Sequence, residues 1–153
     1  MIGSNIIYTE PGSSDWLEDC WDIKQEIRKE QGLLKQNEGF FKRTYLRSHT
    51  YVVSDMSEMP LGFAVVADDT YLALLAVKPS YQGYGIGEKI MKYVIEEHTE
   101  LYCHTRKSNE RAIGFYKNLG FKEVKAHENY YADGESAVML EYDSYSSVYS
   151  SSS

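Results

Sequence analysis

Apolar and polar residues alternate with two different periods along this 153-residue chain, and the periods change in a definite order. A short apolar run at residues 6–8, closed by Pro11-Gly12, predicts a first strand. Trp16, Cys20, Ile23 and Ile27 fall at helical spacing. They predict a helix opening at Asp15, with Glu18 in capping-box position and Gly32 at its end. A second helix over residues 37–48 is expected to bury Phe40, Phe41 and either Tyr45 or Leu46. Strand-type runs follow at residues 51–53, 62–67 and 71–77, the last two joined by a tight Asp68-Asp69-Thr70 connection. Ile86, Ile90, Met91, Val94 and Ile95 then predict a helix reaching about residue 99.

A strand at residues 101–104 leads to a helix opened by Ser108-Asn109 and stopped by Gly120. A strand starting at residues 121–124 and another at 137–142 close the chain around an expected Asp133-Gly134 hairpin turn. The order is strand, two helices, three strands, helix, strand, helix, two strands. It describes a mixed α/β (α+β) chain and fits neither a Rossmann nor a ferredoxin-like arrangement. Residues 1–143 read as one domain, and the serine-rich stretch 144–153 as a disordered tail.

Composition narrows the partners. Hydrophobic content of 42% in a chain of this length supports one real core. A net charge of −7 and a pI near 5.1 argue against sequence-independent nucleic-acid binding, which needs a basic face. The longest apolar runs are too short to cross a bilayer, and the first ten residues lack a secretory pattern. A cytoplasmic protein with no membrane or nucleic-acid partner is the expectation. Cys20 and Cys103 lie far apart without metal-ligand spacing, which reads as two buried thiols in a reducing compartment and no metal.

Two segments carry chemistry. In Leu72-Ala73-Leu74-Leu75-Ala76-Val77-Lys78-Pro79-Ser80-Tyr81-Gln82-Gly83-Tyr84-Gly85-Ile86-Gly87 an apolar strand runs into a glycine-rich turn and then a helix. Backbone amides of such a turn and of the helix start converge on an anion, and glycines let a phosphate approach. Glu88 and Lys89 after Gly87 exclude a Walker loop, and the G-x-G-x-G spacing from Gly83 to Gly87 excludes a dinucleotide fingerprint. The second segment is Asn109-Glu110-Arg111-Ala112-Ile113-Gly114-Phe115-Tyr116-Lys117-Asn118-Leu119-Gly120-Phe121.

Gln82-x-x-Gly85-x-Gly87, with Val77-x-Pro79 ahead of it, resembles the acetyl-CoA motif of the GNAT superfamily of N-acetyltransferases. Residues 109–121 resemble that superfamily's N-x-x-A-x-x-x-Y-x-x-x-G-F motif, with every anchor present. The resemblance implies a mixed twisted sheet of about seven strands flanked by about four helices, splayed between the fourth and fifth strands. It implies that Leu75, Ala76 and Val77 offer main-chain groups to the pantetheine arm of acetyl-CoA. The amides of Gly83, Tyr84, Gly85, Ile86 and Gly87 would hold the pyrophosphate, and Gln82, where the family often has arginine, would add a side-chain donor. Asn109 would lie near the pantetheine while also capping its helix. Tyr116 stands where the family places the acid that protonates the leaving thiolate; a packed aromatic is the plainer reading.

His104 matches a position that carries glutamate in relatives that acetylate protein N-termini. It is the candidate general base, though a strand-end histidine is as often a polar plug; Glu128 and Glu135 are weaker candidates. Residues 129–139, Asn129-Tyr130-Tyr131-Ala132-Asp133-Gly134-Glu135-Ser136-Ala137-Val138-Met139, resemble the Tyr-Tyr segment of ribosomal-protein and archaeal N-terminal acetyltransferases. There Tyr130 and Tyr131 would bind the acceptor's backbone; cross-strand aromatic pairing is the alternative. The implied activity is direct acetyl transfer from acetyl-CoA to a primary amine, foremost a protein or peptide N-terminus. A small-molecule amine (polyamine, amino acid or aminoglycoside) or a non-catalytic CoA sensor are the alternatives, in a monomer or homodimer.

Overall fold

The computed structural model describes residues 4–32 and 36–144, so the serine-rich tail lies outside the described residues apart from Ser144. The chain forms two compact units, Met1–Val94 and Ile95–Ser153. The elements follow the expected order: β1 (Ser4–Thr9), α1 (Leu17–Gln31), α2 (Glu38–Leu46), β2 (His49–Asp55), β3 (Pro60–Ala67), β4 (Tyr71–Val77), α3 (Ile86–Glu97), β5 (Glu100–Arg106), α4 (Glu110–Asn118), β6 (Lys122–His127) and β7 (Ala137–Asp143). A 3-10 turn at Pro79–Tyr81 stands between β4 and the glycine turn.

In the first unit β1 to β4 pair in chain order, each antiparallel to the next. β2 and β3 are buried along almost their whole length because both faces are covered. Val52, Phe63, Val65, Leu74 and Ala76 meet Leu17, Cys20, Ile23 and Ile27 of α1 and Phe41 and Tyr45 of α2. On the opposite face Gly62 lets Ile90 of α3 come close, and Tyr93 packs against Tyr51 at 5.8 Å. The Asp68-Asp69 turn is tight as expected, with both residues at positive φ. The Tyr8 hydroxyl and His49 Nδ1 share a hydrogen bond at 2.6 Å, and His49 in turn engages Asp69, so one imidazole ties β1 to that turn.

Two local expectations fail in this unit. The capping box at Asp15 does not form: Trp16 takes the N-cap position at φ 66° with no side-chain cap. Tyr45 instead donates its hydroxyl to the Asp15 carbonyl, so a tertiary bond fixes the helix entry. Phe40 is exposed, and Tyr45 rather than Leu46 is buried, because in a nine-residue helix only Phe41 and Tyr45, four apart, share the core-facing stripe. The sequence pattern also leaves out Lys24, whose side chain is fully buried. Its ammonium donates to the Gln36 carbonyl at 2.8 Å and lies 5.2 Å from the Trp21 ring. Burial, with Arg28 nearby, pushes its pKa down to about 8.

In the second unit β7 lies between β5 and β6, antiparallel to both. Side-chain alternation divides β5 cleanly: Leu101, Cys103 and Thr105 are buried, while Tyr102, His104 and Arg106 face the other way. Tyr142, opposite Leu101, packs its ring on Phe121, and Phe121 packs on Tyr116 of α4. α4 therefore covers the Leu101–Cys103 face. A residue pair at Asp133-Gly134 does not make the expected tight hairpin. β6 stops at His127 and β7 starts at Ala137, leaving residues 128–136 as a longer connection with its own internal turn.

Candidate active site

The first group of site residues lies where β4 runs out. Lys78 still donates to the Leu61 carbonyl at 2.7 Å, and the 3-10 turn then swings the chain into Gly83 and Gly85. These glycines sit at φ 86° and 80°, a region that side chains disfavour, and nothing lies within 4 Å of where a Cβ would stand. α3 begins at Ile86, and its first backbone bond from outside runs from Lys89 N–H to the Gly85 carbonyl at 3.0 Å. The amides of Ile86, Gly87 and Glu88 are the ones a helix start leaves unused. Ile86 points its side chain into the core and so contributes only backbone here, whereas Tyr84 is 70% exposed.

Gln82 has a different occupation from the one implied by the motif. Its amide donates to the Val77 carbonyl at 3.0 Å and exchanges hydrogen bonds with Gln31. The side chain thus braces the turn against the end of β4 and the last turn of α1. An open, positive-φ backbone with unused amides fits a phosphate-bearing group.

The second group is built on β5, α4 and the β6–β7 connection. His104 lies on the face away from α4, with its ring stacked on Tyr130 at 4.6 Å and 14°. Tyr131 stands edge-on to Tyr130 at 5.1 Å, and His127 from the end of β6 completes the cluster 5.0 Å from His104. The structure thus brings together three residues named from separate parts of the sequence, and adds His127. Burial holds the His104 pKa below its ordinary value, and His127 and Lys125 push the same way. Its neutral form is therefore favoured.

Tyr116 lies on the other face, 8% exposed, between Phe115 and Phe121 at ring distances of 5.2 Å each. Asn109 caps α4, its side chain accepting from Ala112 N–H at 3.1 Å. Cys103 is buried and its thiol is pushed up to about 12, which removes it as a nucleophile. Glu135 is an equally poor base: bonds from Ser108 and Arg106 hold its carboxyl down at about 2.

Residues 47–123, half of the chain, match the acetyltransferase (GNAT) domain family. The chain belongs to the GNAT acetyltransferase family. A GNAT relative from Sulfurisphaera tokodaii, an N-alpha-acetyltransferase, is 43% identical over 77 residues, 46% of each chain. The [ribosomal protein bS18]-alanine N-acetyltransferase of Escherichia coli K12 is 37% identical over 84 residues, 50% of this chain and 57% of that one. The chain spans about half the length of the curated relatives it matches. In three dimensions the match is longer. The crystal structure of the ribosomal-protein-S18-alanine N-acetyltransferase from Escherichia coli superposes with TM-score 0.74 and 26% identity, over 91% of this chain and 94% of that one. The NatC complex bound to Gag peptide and CoA shares the fold at TM-score 0.67 and 22% identity, over 91% and 98%. The seven strands and four helices are those of the GNAT fold.

Within this GNAT frame, sequence reasoning missed Arg106 and its bonds to Asp133 and Glu135. Arg106 Nη1 donates to Asp133 Oδ2 and to Glu135 Oε1, at 2.9 Å each. The signal available was parity, since Arg106 is two residues beyond His104 and shares its face.

Proposed function

We propose that this protein transfers the acetyl group of acetyl-CoA directly to a primary amine, namely the N-terminal α-amine of a protein or peptide. The observation that carries the reading is the His104 ring stacked on Tyr130 with Tyr131 edge-on beside it. An imidazole kept neutral by burial is suited to remove a proton from an incoming ammonium, whose pKa is about 8 for an α-amine. The two phenols offer hydroxyl groups to the acceptor's backbone. Acetyl-CoA supplies a thioester as the activated acetyl donor. The turn at Gly83–Gly85 and the amides of Ile86 and Gly87 would hold its pyrophosphate, and the main chain of residues 75–77 its pantetheine arm. Tyr116 would return a proton to the departing thiolate, a task within reach of a phenol of pKa about 10. On this reading the protein works in the cytoplasm and uses no metal. The names carried by the archaeal and Escherichia coli relatives support a protein N-terminus over a small amine.

The test is thiol release from acetyl-CoA with short peptides whose N-termini are free or blocked, alongside polyamines and aminoglycosides. Turnover confined to free N-termini is the expected result. Equal turnover of blocked lysine-bearing peptides, or of polyamines alone, would overturn the acceptor assignment.

A further inference from the structure

Nine residues, 128–136, connect β6 to β7 and carry both tyrosines of the cluster, yet they have no sheet ladder to fix them. Tyr130 is held by its stack on His104, and the remainder of the connection gathers around Arg106. The Arg106 guanidinium carbon lies 4.1 Å from the centre of the Tyr131 ring. The same guanidinium bonds Asp133 and Glu135 through Nη1. Inside the connection, Tyr131 N–H donates to the Glu135 carbonyl at 3.1 Å and Gly134 N–H to the Tyr131 carbonyl at 2.8 Å. Glu135 N–H also donates to Asp133 Oδ1 at 3.0 Å, so both anions and the ring form one folded unit around the arginine.

The other oxygen of Glu135 points elsewhere. Oε2 accepts from Ser108 N–H at 3.0 Å, and Lys107 N–H donates to the Ser136 carbonyl at 3.0 Å. The turn entering α4, which ends in the cap Asn109, is therefore tied to the connection that carries Tyr130 and Tyr131. Isolated exposed ion pairs contribute little, but a guanidinium that stacks on a ring and bridges two anions has a geometry a point charge cannot reproduce. A nine-residue connection is also costly to order, so losing the arginine would leave the Tyr131 ring spread over more positions.

We propose that Arg106 is a positioning residue for the acceptor: its guanidinium sets the Tyr131 ring, with Glu135 joining that ring's connection to the entry of α4. The inference rests on the acceptor role proposed for the tyrosines. The Arg106 side chain does not hold the α4 entry itself, because the Arg106 carbonyl accepts from Asn109 N–H at 2.9 Å and survives any side-chain change. Its loss should therefore separate the two substrates.

The experiment is steady-state kinetics of full-length wild type, Arg106→Gln, Arg106→Lys and Glu135→Gln, with a peptide bearing a free N-terminus and acetyl-CoA varied independently. Arg106→Gln should raise the acceptor KM about tenfold or more, leaving the acetyl-CoA KM and kcat within about threefold. Arg106→Lys keeps the charge without the planar stack and should fall between. Glu135→Gln should raise both KM values, since it touches the α4 entry as well. An acceptor KM unchanged in both arginine variants would overturn the proposal. So would parallel losses in kcat and both KM values that track a fall in Tm, which is the mark of a merely structural residue. Wild type that transfers no acetyl to free N-termini would instead overturn the acceptor reading and this role with it.

Discussion

The glycine turn ahead of α3 and the aromatic cluster around His104 are made of different material. The first is backbone: two glycines at positive φ and the amides at a helix start, with the Gln82 side chain used as a brace. The second is side chain throughout, with two imidazoles, two phenols and an arginine from β5, β6 and a connection without ladder. A site made from backbone tolerates variation at most side chains and fails at the few positions where a Cβ is forbidden. A site made from side chains fails by degrees, as each partner is removed.

Substitutions can break that contrast. The largest effect is expected for Tyr116→Phe, which should lower kcat by about a hundredfold or more if the phenol supplies the proton, with acetyl-CoA affinity unchanged. Single-turnover and direct-binding measurements separate the two, and undiminished turnover would return Tyr116 to its packing role between Phe115 and Phe121. Next is Gly85→Ala, at φ 80°, where the left-handed backbone costs a side chain about 1–2 kcal/mol. The acetyl-CoA KM should rise about tenfold while the acceptor KM stays put. Gly114→Ala is the internal control: Gly114 lies inside α4, with no positive φ and open space around it, so the change should stabilise the helix by about 0.5–1 kcal/mol.

The smallest effect sharpens the side-chain half. His104 is held below 6.5 by burial, then by His127 and Lys125, so the acidic limb of kcat/KM should have its midpoint below 6.5. His127→Gln removes one of the causes of that depression and should move the midpoint up. The sign for stability follows from the same depression. As pH falls through 6.5 the unfolded chain takes up a proton before the folded one, so this histidine's stabilising contribution drains away over that window. A midpoint above 6.5, or none that responds to His127, would place the base elsewhere.

The backbone half was legible from the sequence because glycine spacing, a proline and an amphipathic run report backbone shape directly. Asn109 was legible for the same reason, and its cap on Ala112 is the local geometry its residue type favours. The side-chain half was legible only in its members. His104, Tyr130 and Tyr131 could be named, but their stacking depends on register between β5, β7 and β6, which no local pattern encodes. Asp133-Gly134 pointed to a hairpin because that dipeptide favours tight turns. It does make a turn, from Tyr131 to Gly134, but inside a longer connection whose Tyr131 ring lies against Arg106 of the neighbouring strand β5. At Asp15 a plausible cap lost to a phenol thirty residues on, a contact that spacing alone cannot foresee.

Burial of the two cysteines has a practical bearing on how the proposed activity would be followed. Both thiols are buried and both are driven upward by burial, Cys103 to about 12, so neither presents a thiolate at neutral pH. A chromogenic disulfide added to catch liberated CoA would find no competing sulfur on the folded protein. Colour would count acetyl groups moved one for one, and slow extra colour would report the chain coming undone.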